Sequence, residues 1–99
     1  MLAKIKSEIE LLSRHLEVIR AVVEYQPIGI MKLADILDLP YHRVRYSLRV
    51  LEQEGYIRAS PAGAVATPLA DDLLSGLEGE VDGLISLLQV IRKANSRNV

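Results

Sequence analysis

The sequence predicts a mainly α (α+β) fold. Three observations carry that reading. Two short apolar-periodic segments lie between Met31 and Glu54, separated by Asp38-Leu39-Pro40 and closed by Gly55. An alternating stretch around Pro61-Ala62-Gly63 then reads as a β-hairpin. Long amphipathic segments stand on both flanks, 1–26 and 68–94.

The N-terminal segment places Leu2, Ile5, Ile9, Leu12, Leu16, Ile19 and Val23 at alternating steps of three and four, a heptad seam over about three heptads. Leu11, Val18 and Val22 widen it into a second apolar stripe. A helix apolar on two sides needs two neighbours. One is the rest of its own domain, and the other is expected to be a second subunit. The alternative is a long helix packed wholly within one protomer. Tyr25-Gln26-Pro27-Ile28-Gly29 ends the helix, and Ile30 is expected to add a short third strand.

In the next helix Leu33, Ile36 and Leu37 form the apolar face, and Ala34 permits close approach. Asp38-Leu39-Pro40 then breaks the pattern. Pro40 suits the first turn of the following helix, about Pro40 to Glu54. There Val44, Ser47, Leu48 and Leu51 fall on the buried face. His42, Arg43, Arg45, Tyr46 and Arg49 then point outward, and Gly55 supplies the stop. Tyr41 is expected to pack at the helix start.

Ile57 and Ala59 alternate with Tyr56, Arg58 and Ser60, and Ala64 to Thr67 return. A hairpin directly after such a helix pair is a wing. Thr67 is placed to cap the last helix, with Pro68 at its first position and Asp71 and Asp72 near its positive end. Leu73, Leu77, Val81, Leu84, Leu88 and Ile91 share one face of that helix. Gly76, Gly79 and Gly83 interrupt it, each costing about 1 kcal/mol relative to Ala. Either another backbone approaches them or the helix breaks near Ser75-Gly76, the reading we favour. Asn95 to Val99 is expected to be a frayed basic tail.

Composition bounds the function. The 99 residues suffice for one small domain, 1–99, and 49% hydrophobic residues exclude disorder. There is no cysteine, hence no disulfide and no thiolate metal site. No apolar run is long enough to span a membrane, and the N-terminus is not a signal peptide, so a cytoplasmic protein is expected. Net charge is −1, but its distribution is uneven. Pro40 to Arg49 holds three arginines and no acid, whereas Pro68 to Ile91 holds five acids and no base. A basic helix face on an otherwise acidic chain fits DNA bound in one orientation. His15 and His42 lie in separate elements, and no phosphate loop or nucleophile–base pair is visible. No enzyme, metal or cofactor is implied. His15 reads as a decoration of the first helix.

The pattern resembles the small winged helix-turn-helix transcriptional regulators of bacteria and archaea. L-A-D-I-L-D-L-P followed by V-R-Y-S-L-R-V-L-E-Q-E-G-Y-I carries the resemblance, which covers about Pro27 to Thr67. It implies helix-turn-helix at 31–55, wing at 56–67 and a helical dimerisation segment at 68–94. It further implies double-stranded DNA as partner, with His42, Arg43, Arg45, Tyr46 and Arg49 in the major groove and Arg58 in the wing. Leu2, Ile5, Ile9, Leu12, Leu84, Leu88 and Ile91 are the expected homodimer contacts. Two features depart from that pattern: Asp38 replaces the frequent turn glycine, and the wing tip Pro61-Ala62-Gly63 has no Lys or Arg. Winged helices also serve as protein-docking modules, which is the alternative function. No sequence feature locates a small-molecule effector site.

Overall fold

A computed structural model describes Met1 to Arg97. Four helices and one hairpin follow in the order α1 (Leu2–Tyr25), α2 (Ile30–Leu37), α3 (Tyr41–Gln53), β1 (Ile57–Ser60), β2 (Gly63–Ala66) and α4 (Pro68–Arg97). This is the expected α+β, winged-helix-like arrangement.

The core forms where α1, α2, α3 and the hairpin meet. Leu16, Val18, Ile19, Ala21 and Val22 of α1 join Ile28, Leu33, Val44, Leu51, Ile57 and Ala70. The double stripe on α1 thus has two fates. Its C-terminal half is sunk into the body, whereas Leu2, Ile5, Ile9 and Leu12 stand in solvent. On α2 the inward set is Ile30, Leu33, Ala34 and Leu37, and Ile36 is 41% exposed, contrary to its expected role. The helix begins at Ile30, and Ile30, Leu33, Ala34 and Leu37 together make an inward face centred about 110° from Ile36.

One device closes both central helices. Asp38 sits at φ 52°, and the Leu39 amide donates to Ala34 O at 3.1 Å. Gly55 sits at φ 85°, and the Tyr56 amide donates to Leu51 O at 2.9 Å. Each left-handed residue turns the chain so that a last-turn carbonyl gains a donor. Pro40 immediately precedes α3, and its carbonyl accepts from the Val44 amide at 3.2 Å.

The hairpin is antiparallel with Ile57 opposite Ala66 and Ser60 opposite Gly63, leaving Pro61 and Ala62 as its turn. Gly63, expected in the turn, is the first residue of β2. The third strand expected at Ile30 is a single bridge at Ile28, since Ile30 already begins α2. Ile28 and Ala64 exchange backbone hydrogen bonds of 3.1 and 2.8 Å. Gly63 makes that approach possible: a Cβ there would lie 2.5 Å from the Ile28 carbonyl carbon. Gln26 adds a second tie, its Oε1 accepting from the Ala66 amide at 2.8 Å. Thr67 does precede α4, but its hydroxyl donates to the Gly55 carbonyl and so joins the wing base to the end of α3. Tyr56 packs against the core, whereas Ala59, expected on the inner side, is exposed.

The expected break in α4 is absent: the helix is continuous through Ser75 and Gly76 to Arg97. Nothing lies within 4 Å of a Cβ built on Gly76, Gly79 or Gly83, so no backbone approaches them within the protomer either. Their cost is borne within a run of Leu, Glu and Asp long enough to keep the helix. Ala70, Leu73, Leu74 and Leu77 dock α4 on the body. Beyond them it projects freely, with Val81, Leu84, Ile85, Leu88 and Ile91 exposed. The basic tail expected to fray from Asn95 is helical to Arg97, and positions 98 and 99 lie outside the described residues.

Candidate nucleic-acid interface

Helix α3 is fixed from one side only. Val44 and Ser47 are fully buried, Leu51 nearly so, and Leu48 is half-buried against the core. His42, Arg43, Arg45, Tyr46 and Arg49 are all exposed, on the face or flanks opposite, as their spacing predicts. No ion pair holds any of these arginines to a carboxylate among the described residues. The Arg45 guanidinium instead rests 5.7 Å from the centroid of the Tyr41 ring. That contact orients the arginine without neutralising it. It also shows what Tyr41 does: half-exposed, it supports Arg45 rather than filling the core.

Ser47 is the one polar side chain buried on the packed face, and it has a partner. Its Oγ lies 2.8 Å from His15 Nδ1. The His15 ring also lies 5.9 Å from that of Tyr46, at 34° between planes. His15 is therefore no surface decoration. It is the joint between α1 and α3, and Tyr46 leans towards α1. Desolvation by burial, helped by the neighbouring Arg14 charge, pushes the His15 pKa below its ordinary 6.5. The neutral ring is the form that fits here.

From this joint, the N-terminal half of α1 continues as a wall beside α3. The two helices enclose an open cleft of about 830 Å³. Its α3 side carries all five expected readers, and its α1 side carries Ser7, Glu10, Leu11, Ser13, Arg14 and Glu17. The heptad spacing of α1 carries no sign of that wall. Arg58 is exposed on the wing but does not line this cleft. The wing tip offers Pro61 and Ala62 to solvent, both uncharged.

The dimer contacts expected on α1 and α4 form two separate exposed patches. Leu2 is 76% exposed and Ile91 65% exposed. The α1 patch points away from the cleft, since Ser7, Glu10 and Arg14 occupy the other side of that helix. No helix of the described residues is long and apolar enough to cross a membrane.

These elements define an α+β domain of winged-helix-like form, with a basic helix face beside a cleft. No family model and no curated protein matches the sequence. Among solved structures the chain is similar to the activation domain of the phage T4 transcription factor MotA. The TM-score is 0.56 at 20% identity, covering 72% of this chain and 78% of that one. The likeness is one of fold.

Proposed function

We propose that this chain is a transcriptional regulator of the winged helix-turn-helix type, binding double-stranded DNA as a homodimer. One observation carries the reading: α3 is pinned by Val44, Ser47 and Leu51 while Arg43, Arg45 and Arg49 stand unpaired on its outer side. A helix so held can enter a major groove, where Arg bonds bidentately to guanine O6 and N7 at about 1–3 kcal/mol of discrimination per contact. His42 and Tyr46 border the same surface, and Arg58 would meet backbone phosphate from the wing. With an uncharged wing tip, α3 supplies most of the affinity.

The second subunit follows from the exposed apolar side chains. Leu2, Ile5, Ile9 and Leu12 on α1, with Leu84, Leu88 and Ile91 on α4, stay exposed among the described residues. Fully burying one Leu or Ile side chain returns about 1.5–3 kcal/mol, so association through these patches is favourable. A two-fold dimer would read a palindrome with half-sites about 34 Å apart, or a multiple of that. The role is one of binding, not catalysis, in the cytoplasm. Selection of duplexes from a random library tests it: an enriched palindrome supports both symmetry and specificity, and no enrichment contradicts the reading.

A second reading has its own support. The similar solved domain is an activation domain of a transcription factor, and winged helices also dock proteins. On that reading the basic cleft would receive an acidic protein segment. Retention on random duplex DNA at low salt favours the first reading, and its absence the second.

A further inference from the structure

We propose that the cleft between α1 and α3 grips one phosphodiester strand of the duplex, with Arg14 as a phosphate contact. This rests on the reading of α3 as the DNA-reading helix. A helix lying in a major groove has a sugar–phosphate strand along each flank. One flank of α3 is already walled by α1, so a strand on that side must run through the cleft. The α1 wall is equipped for it. Arg14 lines the cleft; its Nε–H is buried with no acceptor among the described residues, so a phosphate would meet the outer N–H groups of its guanidinium. Ser7 and Ser13 present hydroxyls along the same wall. Four arginines, Arg14, Arg43, Arg45 and Arg49, face two glutamates, Glu10 and Glu17. The field in the cleft therefore favours an anion, and the two carboxylates oppose it.

That opposition separates a phosphate-binding role for the wall from a merely structural one. Affinity is read by fluorescence anisotropy of the full chain on a fixed duplex and on random duplex, across a salt series. Arg14→Gln should weaken binding to both duplexes alike and lower the salt slope by about one unit. A phosphate about 8 Å from a carboxylate, in a near-aqueous dielectric, is repelled enough for each removed charge to change affinity roughly two-fold. Glu10→Gln with Glu17→Gln should therefore tighten binding several-fold at low salt, the gain fading as salt rises. Should Arg14→Gln fold poorly, the glutamate pair still decides. The proposal is overturned if the pair leaves binding unchanged or weakens it. It is equally overturned if a folded Arg14→Gln keeps the full salt slope. If the Arg43, Arg45 and Arg49 alanine variant loses DNA in the same series, only the cleft is wrong. If that variant also binds unchanged, the DNA reading itself has failed.

Discussion

Replacing the three α4 glycines with alanine should stabilise the protein, and the size of the effect can be worked out. Gly76, Gly79 and Gly83 lie inside a regular helix, and a Cβ at each meets nothing within 4 Å. The gain is then one of propensity and unfolded-chain entropy, about 0.8–1.0 kcal/mol per site. The methyl groups do not touch one another's neighbours, so the three should add to about 2–3 kcal/mol. For a domain of this size 1 kcal/mol moves Tm by roughly 4–8 °C. The triple variant should melt at least ~8 °C higher, followed by circular dichroism at fixed protein concentration. The glycines lie about 120° round α4 from the apolar face centred on Leu77 and Leu84. The second subunit is assigned to that apolar face, so it should not meet the new methyl groups. A lowered Tm, or a triple variant that dissociates, would refute both the open-helix account and the assignment of the partner to the Leu84 face.

Three further outcomes follow. Gly63→Ala should destabilise by about 3 kcal/mol or more. It puts a Cβ 2.5 Å from the Ile28 carbonyl carbon at φ 131°, whereas Gly29→Ala, with nothing within 4 Å, should be near neutral in the same urea titration. Stability should also fall as pH drops below about 6.5, the ordinary His15 value. The folded His15 pKa lies below its ordinary value, so its contribution is present above that value and lost as the pH falls through the folded one; His15→Gln should flatten the profile in that window. Sedimentation equilibrium should give a dimer at tens of micromolar, and Leu84→Glu with Leu88→Glu a folded monomer. A monomeric parent chain would remove the basis for two-fold DNA recognition.

Much of the fold was legible because its determinants are local. The inward spacing of Val44, Ser47, Leu48 and Leu51 identified α3; Gly55 marked one left-handed stop that the structure shows, and Asp38, standing where the resembled family often has a turn glycine, the other. The hairpin turn was legible to within one residue from Pro61-Ala62-Gly63. Long-range pairings were not. His15 and Ser47 are 32 residues apart, and neither residue names the other. The available signal was Ser47 itself, a hydroxyl on an apolar face that must find a partner when buried. Gln26 reaching Ala66 across 40 residues is a case of the same kind. Helix α4 departs from the expected break for a different reason. Interior glycines weaken a helix by amounts that its flanking leucines and acids outweigh, so propensity marked a cost without deciding the outcome. The wall beside α3 depends on the angle at which α1 crosses it, which periodicity does not encode.

The central claim is that the outer face of α3 reads DNA. Its most direct test is duplex affinity of the parent chain against the variant carrying Arg43→Ala, Arg45→Ala and Arg49→Ala, with folding checked by circular dichroism. None of the three side chains fills the core, so the variant should melt near the parent. Each lost base contact should cost about 1–3 kcal/mol on the preferred duplex, and each lost phosphate contact about one unit of salt slope. The account predicts a loss of at least a hundred-fold on the preferred duplex (about 2.7 kcal/mol) and a shallower salt dependence on random DNA. A folded triple variant that binds both duplexes as the parent does would contradict it.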